Sequence, residues 1–184
     1  MALTPSNMLD LGIKAQDFSL INVIDGNRVT YQNIKGETGT LVMFICVHCP
    51  YVIHVEPELS ILSGQYKEKG IGIVAISSND IDKYPQDSPE CMKRQAIKNK
   101  FDFPYLFDED QSVARAYDAA CTPDFYLFNK EDKLVYRGRL DESRPGNDLP
   151  LTGADLRSAI DAILIGAVPD QAQYPSMGCN IKWK

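Results

Sequence analysis

Two uninterrupted apolar runs, Leu41-Val42-Met43-Phe44-Ile45 and Ile71-Gly72-Ile73-Val74-Ala75-Ile76, constrain this chain more than any other feature of it. A strand with one face in water alternates apolar and polar residues. A run with no polar member fits a strand covered on both faces, the usual state of a parallel sheet. Between the runs Val52, Val55, Leu59, Leu62 and Tyr66 recur at spacings of three and four, which is one face of a helix. Strand, helix, strand is the crossover unit that joins a parallel pair, so the chain is expected to be α/β.

The remaining segments extend this unit. A second helix is expected from about Pro89 to Lys100 and a short one around Gln111 to Tyr117. Phe125-Tyr126-Leu127-Phe128 and Leu134 to Arg139, joined by the polar Asn129 to Lys133, read as an antiparallel hairpin. Phe18-Ser19-Leu20-Ile21 and Arg28-Val29-Thr30-Tyr31 flank Asp25-Gly26, a second hairpin signal placed before the first core strand. The last helix buries Leu156, Ile160, Ile163 and Leu164, with Thr152 and Asp155 at capping-box spacing before it. The architecture expected is a mixed central β-sheet with helices on both sides and an N-terminal β-hairpin extension. No repeat or linker divides the 184 residues, and about 150 residues is an ordinary domain. We therefore read 1–184 as a single domain, with its core at about 12–165 and a C-terminal tail at 166–184.

Charge and hydropathy narrow the function. With 19 Lys+Arg against 25 Asp+Glu the net charge is -6, which argues against nucleic acid as a partner. No apolar run approaches the roughly 20 residues of a membrane span, so no membrane partner is expected. The start, Met1-Ala2-Leu3-Thr4-Pro5-Ser6, lacks the basic end and apolar stretch of a secretory signal, and a cytoplasmic location is the expectation. Five cysteines are an odd number and too few for a disulfide scaffold of this length.

The chemistry points to Cys46-Val47-His48-Cys49-Pro50, where the first core strand hands over to the first helix. A C-x-x-C beside a crossover unit reads as a redox motif. Zinc normally takes four ligands, and there is no second C-x-x-C to complete a set; the two histidines, His48 and His54, both lie beside the pair. We expect no metal and no cofactor. The alternative to redox chemistry is a pair of buried, inert thiols.

Pro50 indicates which cysteine attacks. Proline is favoured at the first helical position, and the residue before it is pushed out of the helical region. Cys49 is then the N-cap. Were Cys46 the N-cap, Pro50 would fall at the fourth helical position and remove the first internal hydrogen bond. A sulfur at the N-cap faces unsatisfied N–H groups and the positive end of the helix dipole, which favour a thiolate. The dipole supplies only roughly 0.3–2 kcal/mol, so other groups must add to it, and His48 is the nearest in sequence. His54 lies one turn along and is expected to be a surface or boundary residue. Pro57 falls inside the helical pattern and is expected to kink it.

From Cys49-Pro50-Tyr51-Val52 to Pro57-Glu58-Leu59 the chain resembles the active-site helix of thioredoxin-like oxidoreductases and redoxins. Gly12 to Leu20 is similar to the N-terminal strand of the alkyl hydroperoxide reductase and thiol-specific antioxidant (peroxiredoxin) group. Phe103 to Asp108, Val113 to Tyr117 and Thr122-Pro123-Asp124-Phe125-Tyr126-Leu127-Phe128 resemble the second half of that superfamily. The C-x-H-C-P-Y-V motif and the ending Pro175-Ser176-Met177-Gly178-Cys179-Asn180-Ile181-Lys182-Trp183 resemble a peroxiredoxin-like branch.

The resemblance implies that Pro123 is a cis-proline abutting the nucleophile and shaping a groove where a partner strand docks. It puts Cys49 in the peroxidatic or first-thiol position and Val52 where thioredoxin has its second cysteine. It also puts Val42 and Cys46 where peroxiredoxins carry the proline and hydroxyl residue that help polarise the peroxide. Cys121, two residues before Pro123, is implied to lie near Cys49.

The leading expectation is thiol-disulfide exchange: Cys49 attacks a protein or small-molecule disulfide, and Cys46 or Cys121 resolves the intermediate. Cys179, on the tail, is a further candidate resolving thiol, and Cys91 is a plain helix residue. The alternative is an antioxidant peroxidase that reduces hydroperoxides through a Cys49 sulfenic acid. Either would draw electrons from a thioredoxin- or glutathione-type donor. A non-enzymatic module that binds a protein or metal beside Pro123 is the alternative of another class.

Overall fold

Strand β4 (Gly39–Phe44) is buried at every position because it has a strand on each edge and helices over each face. It pairs in parallel with β5 (Ile71–Ser77) and antiparallel with β8 (Asp124–Asn129). The computed structural model describes residues 3–184. The other elements are β1 (Leu3–Pro5), β2 (Ser19–Asn22), β3 (Arg28–Thr30), α1 (Tyr31–Ile34), α2 (Pro50–Tyr66), α3 (Pro89–Asn99), β6 (Tyr105–Phe107), α4 (Ser112–Ala116), β7 (Cys121–Thr122), β9 (Leu134–Gly138), α5 (Ala154–Leu164) and β10 (Met177–Asn180). One seven-stranded sheet runs β3-β2-β6-β5-β4-β8-β9, and a smaller sheet runs β1-β10-β7.

Alternation along β4 divides the core. Leu41, Met43 and Ile45 pack with α2, α3 and α5 through Val52, Val55, Leu59, Met92, Leu156 and Ile160. Val42 and Phe44 face the other way, onto Tyr31 of α1, Val113 and Ala114 of α4, and Tyr117. The fold is the expected mixed sheet with helices on both faces. Among the described residues, no helix is long and apolar enough to cross a membrane.

Three local expectations are corrected. Tyr31 begins α1 instead of ending β3, because Thr30 and Asn33 cap each other: the Asn33 amide donates to Thr30 Oγ1 (3.3 Å) and the Thr30 amide to Asn33 Oδ1 (2.9 Å). Helix α5 is not capped by Thr152 and Asp155. Its N-cap is Gly153, at φ 67, where a Cβ would also meet Glu58 Oε1 at 2.9 Å. The Asp141 carboxylate takes the amides of Thr152 and Gly153, both at 2.6 Å, while Asp155 binds Arg139 Nε at 2.6 Å. A long-range carboxylate thus takes the Thr152 amide that the local spacing assigns to Asp155.

The third correction concerns 166–184, which is not simply a tail. β10 is the middle strand of the small sheet, and Cys179, Ile181 and Lys182 are buried. Lys182 accepts from the Asp80 amide (2.8 Å) and donates its own amide to Asn79 Oδ1 (2.8 Å). Arg115 stacks over Trp183 at 4.5 Å.

The Thr122–Pro123 bond is cis, and the residue after it is anchored in the core. Asp124 Oδ2 accepts from Tyr126 Oη (3.0 Å) and from Arg137 Nη2 (3.3 Å), and both members of the Asp124–Arg137 pair are wholly buried. Arg137 Nη2 also reaches the Asp118 carbonyl at 3.1 Å. Burial pushes the Asp124 carboxyl up to about 7, with Arg137 pulling it back. That value lies above the ordinary carboxylate range near ~3.9, so folding takes up a proton between the two. The contribution of Asp124 to stability is greatest below the lower value and is lost as pH rises through the upper one.

Replacing Arg137 by leucine leaves the Asp124 carboxylate buried without its cation, a loss of roughly 3–5 kcal/mol. The loss is expected in full in urea unfolding at pH 8 and reduced at pH 5, where Asp124 is protonated. An equal loss at both values would show that Asp124 is not the group left unpaired.

Candidate active site

Cys49 is the N-cap of α2 and Pro50 its first residue. The Cys49 backbone is extended, φ -75 and ψ 122, as a residue before proline requires. The Cys49 side chain makes no cap hydrogen bond, and the Ile53 amide donates to the Cys49 carbonyl at 3.0 Å. Helix α2 continues through Pro57.

The loop before α2 is held by one buried carboxylate that the sequence does not announce. Asp87, in a short 3-10 turn at Pro85–Asp87, accepts the Val47 amide (2.8 Å) and His48 amide (3.1 Å) at Oδ1. At Oδ2 it meets His48 Nδ1 (2.6 Å) and the Asn79 side-chain amide (2.8 Å). His48 stacks on Tyr84, with centroids 5.7 Å apart and planes 7° from parallel. Gln95 of α3 donates to the Cys46 carbonyl (3.1 Å) and to Glu56 (2.7 Å). His48 therefore braces the loop through Asp87. Neither Asp87 nor Gln95 has a local pattern that marks it, since they act across 40 and 49 residues of chain.

Three thiols converge where α2, β7 and β10 meet. The Cys49 and Cys179 sulfurs are 2.8 Å apart, with no bond between them. Cys49 Sγ lies 3.3 Å from the Thr122 carbonyl, and Cys46 Sγ lies 3.1 Å from Thr122 Oγ1. Cys46 donates to the Cys49 sulfur, and this is the largest influence holding the Cys49 thiol down to about 5 against the opposing effect of burial. Cys179 and the amides of Val52 and Cys179 add to it. Donation to Cys49, with burial, pushes the Cys46 thiol well above its ordinary value. Burial first, and donation to Cys49 second, push Cys179 up to about 12.

The other sequence candidates separate. Cys121 precedes Thr122 in a strand, so its side chain takes the opposite face; its sulfur is 3.7 Å from the Pro123 carbonyl, and burial pushes its thiol far up. Cys91, half-buried on α3, has Arg94 Nη2 at 2.9 Å. His54 bonds Ser143 Oγ at 2.8 Å and lines a shallow cleft with Tyr51, Pro123, Arg139, Arg144 and Met177. Thr122 was present in the Thr-Pro motif, but its two contacts with the thiols join segments more than 70 residues apart.

Cys46, His48 and Asp87 offer ligand atoms within 4.8 Å of one another and are the residues that could hold a metal ion. The geometry fits a hydrogen-bonded brace better. His48 Nδ1 and Asp87 Oδ2 are 2.6 Å apart, closer than the about 3.3 Å separating two tetrahedral zinc ligands. Both Asp87 oxygens already accept two hydrogen bonds each.

If Cys46 holds the thiolate, Cys46→Ala removes a hydrogen bond to a charged acceptor, about 1.5–3 kcal/mol. The Cys49 titration, followed by thiolate absorbance, should move toward neutrality, with at least a tenfold fall in the ratio of thiolate to thiol at pH 6. An unmoved midpoint would assign the effect to Cys179 and the helix terminus.

Comparison with known proteins identifies the fold and the family. A crystal structure of an uncharacterized conserved protein from Geobacillus kaustophilus superposes with a TM-score of 0.98 at 54% identity, covering 100% of this chain and 97% of that one. The thioredoxin domain of a thiol-disulfide oxidoreductase from Bacteroides vulgatus gives a TM-score of 0.60 at 24% identity, covering 74% and 91%, a likeness of fold. Among curated relatives, the thiol-disulfide oxidoreductase ResA of Halalkalibacterium halodurans is 26% identical over 125 residues. That match spans 67% of this chain and 65% of ResA. The fold is thioredoxin-like, and with residues 11–137 matching the AhpC/TSA family, the chain belongs to that family.

Proposed function

We propose that the chain is a thiol-disulfide oxidoreductase in which Cys49 is the nucleophile. The observation that carries this reading is a helix N-cap sulfur beside cis-Pro123, supplied with thiol and amide donors that favour its thiolate. The names of the curated relatives support the same reaction class.

The Cys49 thiolate attacks one sulfur of a partner disulfide, forming a mixed disulfide and releasing the other partner sulfur as a thiolate. A second thiol of this chain then attacks Cys49 Sγ and releases the rest of the partner. Two electrons pass to the partner and one intrachain disulfide forms, which a thioredoxin- or glutathione-type thiol donor reduces again. A thiol held down to about 5 is mostly thiolate at neutral pH. Intrinsic nucleophilicity falls as pKa falls, so the larger benefit is in leaving ability when the chain is reduced. We take the protein to work in the cytoplasm, where thiol donors would keep such a site reduced.

Membership of the AhpC/TSA family favours a second reading, a peroxidase passing through a Cys49 sulfenic acid. Val42 and Cys46 stand where that chemistry wants a proline and a hydroxyl, so the exchange reaction is preferred.

Cys49→Ser should reduce a test protein disulfide at least 100-fold more slowly than the parent chain; an unchanged rate would overturn the assignment. Stopped-flow consumption of hydrogen peroxide by the parent is expected to be no faster than by free cysteine, and a rate many orders above that would establish the peroxidase instead.

A further inference from the structure

Strand β10 stands where a docking partner would. It pairs antiparallel with β7, placing Cys179 opposite Thr122 and Asn180 opposite Cys121, on the two residues that lead into cis-Pro123. Addition of an extended segment to an open strand edge is a general mode of peptide recognition. Here the chain supplies that segment itself.

The approach is close: a Cβ on Gly178 would lie 2.0 Å from the Thr122 carbonyl oxygen and 3.2 Å from the Pro123 nitrogen, so only glycine lets the backbones meet. Ser176 Oγ adds a 2.6 Å bond to the Pro123 carbonyl. With β10 seated, Cys49 is 0% exposed and Cys179 4%. An attacking thiol that no substrate can touch has a strand to be lifted from it.

We infer that β10 is a built-in partner strand and that Cys179, not Cys46, is the thiol that closes the disulfide on Cys49. The inference rests on Cys49 being the nucleophile proposed above and names the second thiol of that reaction. With β10 lifted from β7, the Cys49 thiolate attacks a disulfide R–S–S–R and expels R–S⁻. When β10 returns, Cys179 loses its proton to that thiolate or to solvent, attacks Cys49 Sγ and expels the second R–S⁻. The products are a Cys49–Cys179 bond, one R–SH that carries the Cys179 proton and one R–S⁻ that solvent protonates, so two electrons have passed to the disulfide.

Tethering favours this pair, because a strand already bonded to β7 presents its thiol at an effective concentration that a free thiol cannot match. The sulfurs need only close from 2.8 Å to about 2.05 Å. Cys46 stays a donor beside them, its carbonyl held by Gln95 and the following amides by Asp87.

The test uses the full chain with Cys91→Ser, which removes the half-buried outlying thiol. After oxidation with one equivalent of diamide and digestion by trypsin without reduction, peptide 36–67 should be linked to peptide 158–182. The link should persist with Cys46→Ser and vanish with Cys49→Ser or Cys179→Ser. With 5,5′-dithiobis(2-nitrobenzoate), the parent and Cys46→Ser should release two nitrothiobenzoates per chain. Cys179→Ser should release one and keep the other as an adduct on Cys49.

A bridge within peptide 36–67, with Cys179 still alkylatable, would overturn the inference while leaving Cys49 as the nucleophile. A Cys49–Cys179 bond in a chain that fails to reduce any disulfide would overturn the proposed function instead. Gly178→Val addresses the covering role: if it folds by circular dichroism, Cys49 alkylation should accelerate at least tenfold, and an unchanged rate counts against β10 as the cover. If it does not fold, the cysteine variants decide the pairing.

Discussion

Pro50 has no amide hydrogen to give and forces the residue before it to be extended. Helix α2 can therefore begin in one place only, with Cys49 at its cap. Much of the site follows from that stop. The Cys49 sulfur is set against the first free amides of the helix, and the preceding loop must turn sharply enough to bring Cys46 up beside it. That loop has no regular structure of its own, so its amides need partners, and Asp87 supplies them for Val47 and His48.

A buried thiolate is costly unless donors surround it. Cys46, Cys179 and two backbone amides favour the Cys49 thiolate, while the Thr122 carbonyl, 3.3 Å from its sulfur, can only accept and favours the thiol. The consequence is asymmetry. One thiol of the three is held down, and the other two are pushed up by burial and by their hydrogen bonds to it. His48, the neighbour in sequence, is turned to Asp87 and Tyr84 and contributes by keeping the loop in shape.

Thr122 joins the parts. Its hydroxyl meets Cys46, its carbonyl lies against Cys49, its backbone pairs with Cys179, and its peptide bond to Pro123 is cis. The position of this short strand depends in turn on Asp124, fixed immediately after Pro123 by Arg137 and Tyr126 in the core. The charge buried in β8 and β9 thus sets the edge against which β10 and the thiols are arranged.

Much of the fold and the centre of the site were legible in the sequence because they rest on local rules. Apolar runs name strands covered on both faces, three-and-four spacing names α2, and a Cys-Pro step names the cap. Such rules do not reach across the chain. Cys49 and Cys179 are separated by 130 positions, and nothing near Cys179 shows that its segment is the middle strand of a sheet. The reason emerges only when Gly178 is seen against the Thr122 carbonyl, where a side chain would not fit. The same limit explains Asp141 binding the Thr152 and Gly153 amides ahead of α5, and Asp87 appearing without a motif. Sequence alone determined which sulfur lies at the helix terminus, because backbone stereochemistry acts between neighbours. Tertiary structure decided which thiols stand beside it, because packing brings distant segments together.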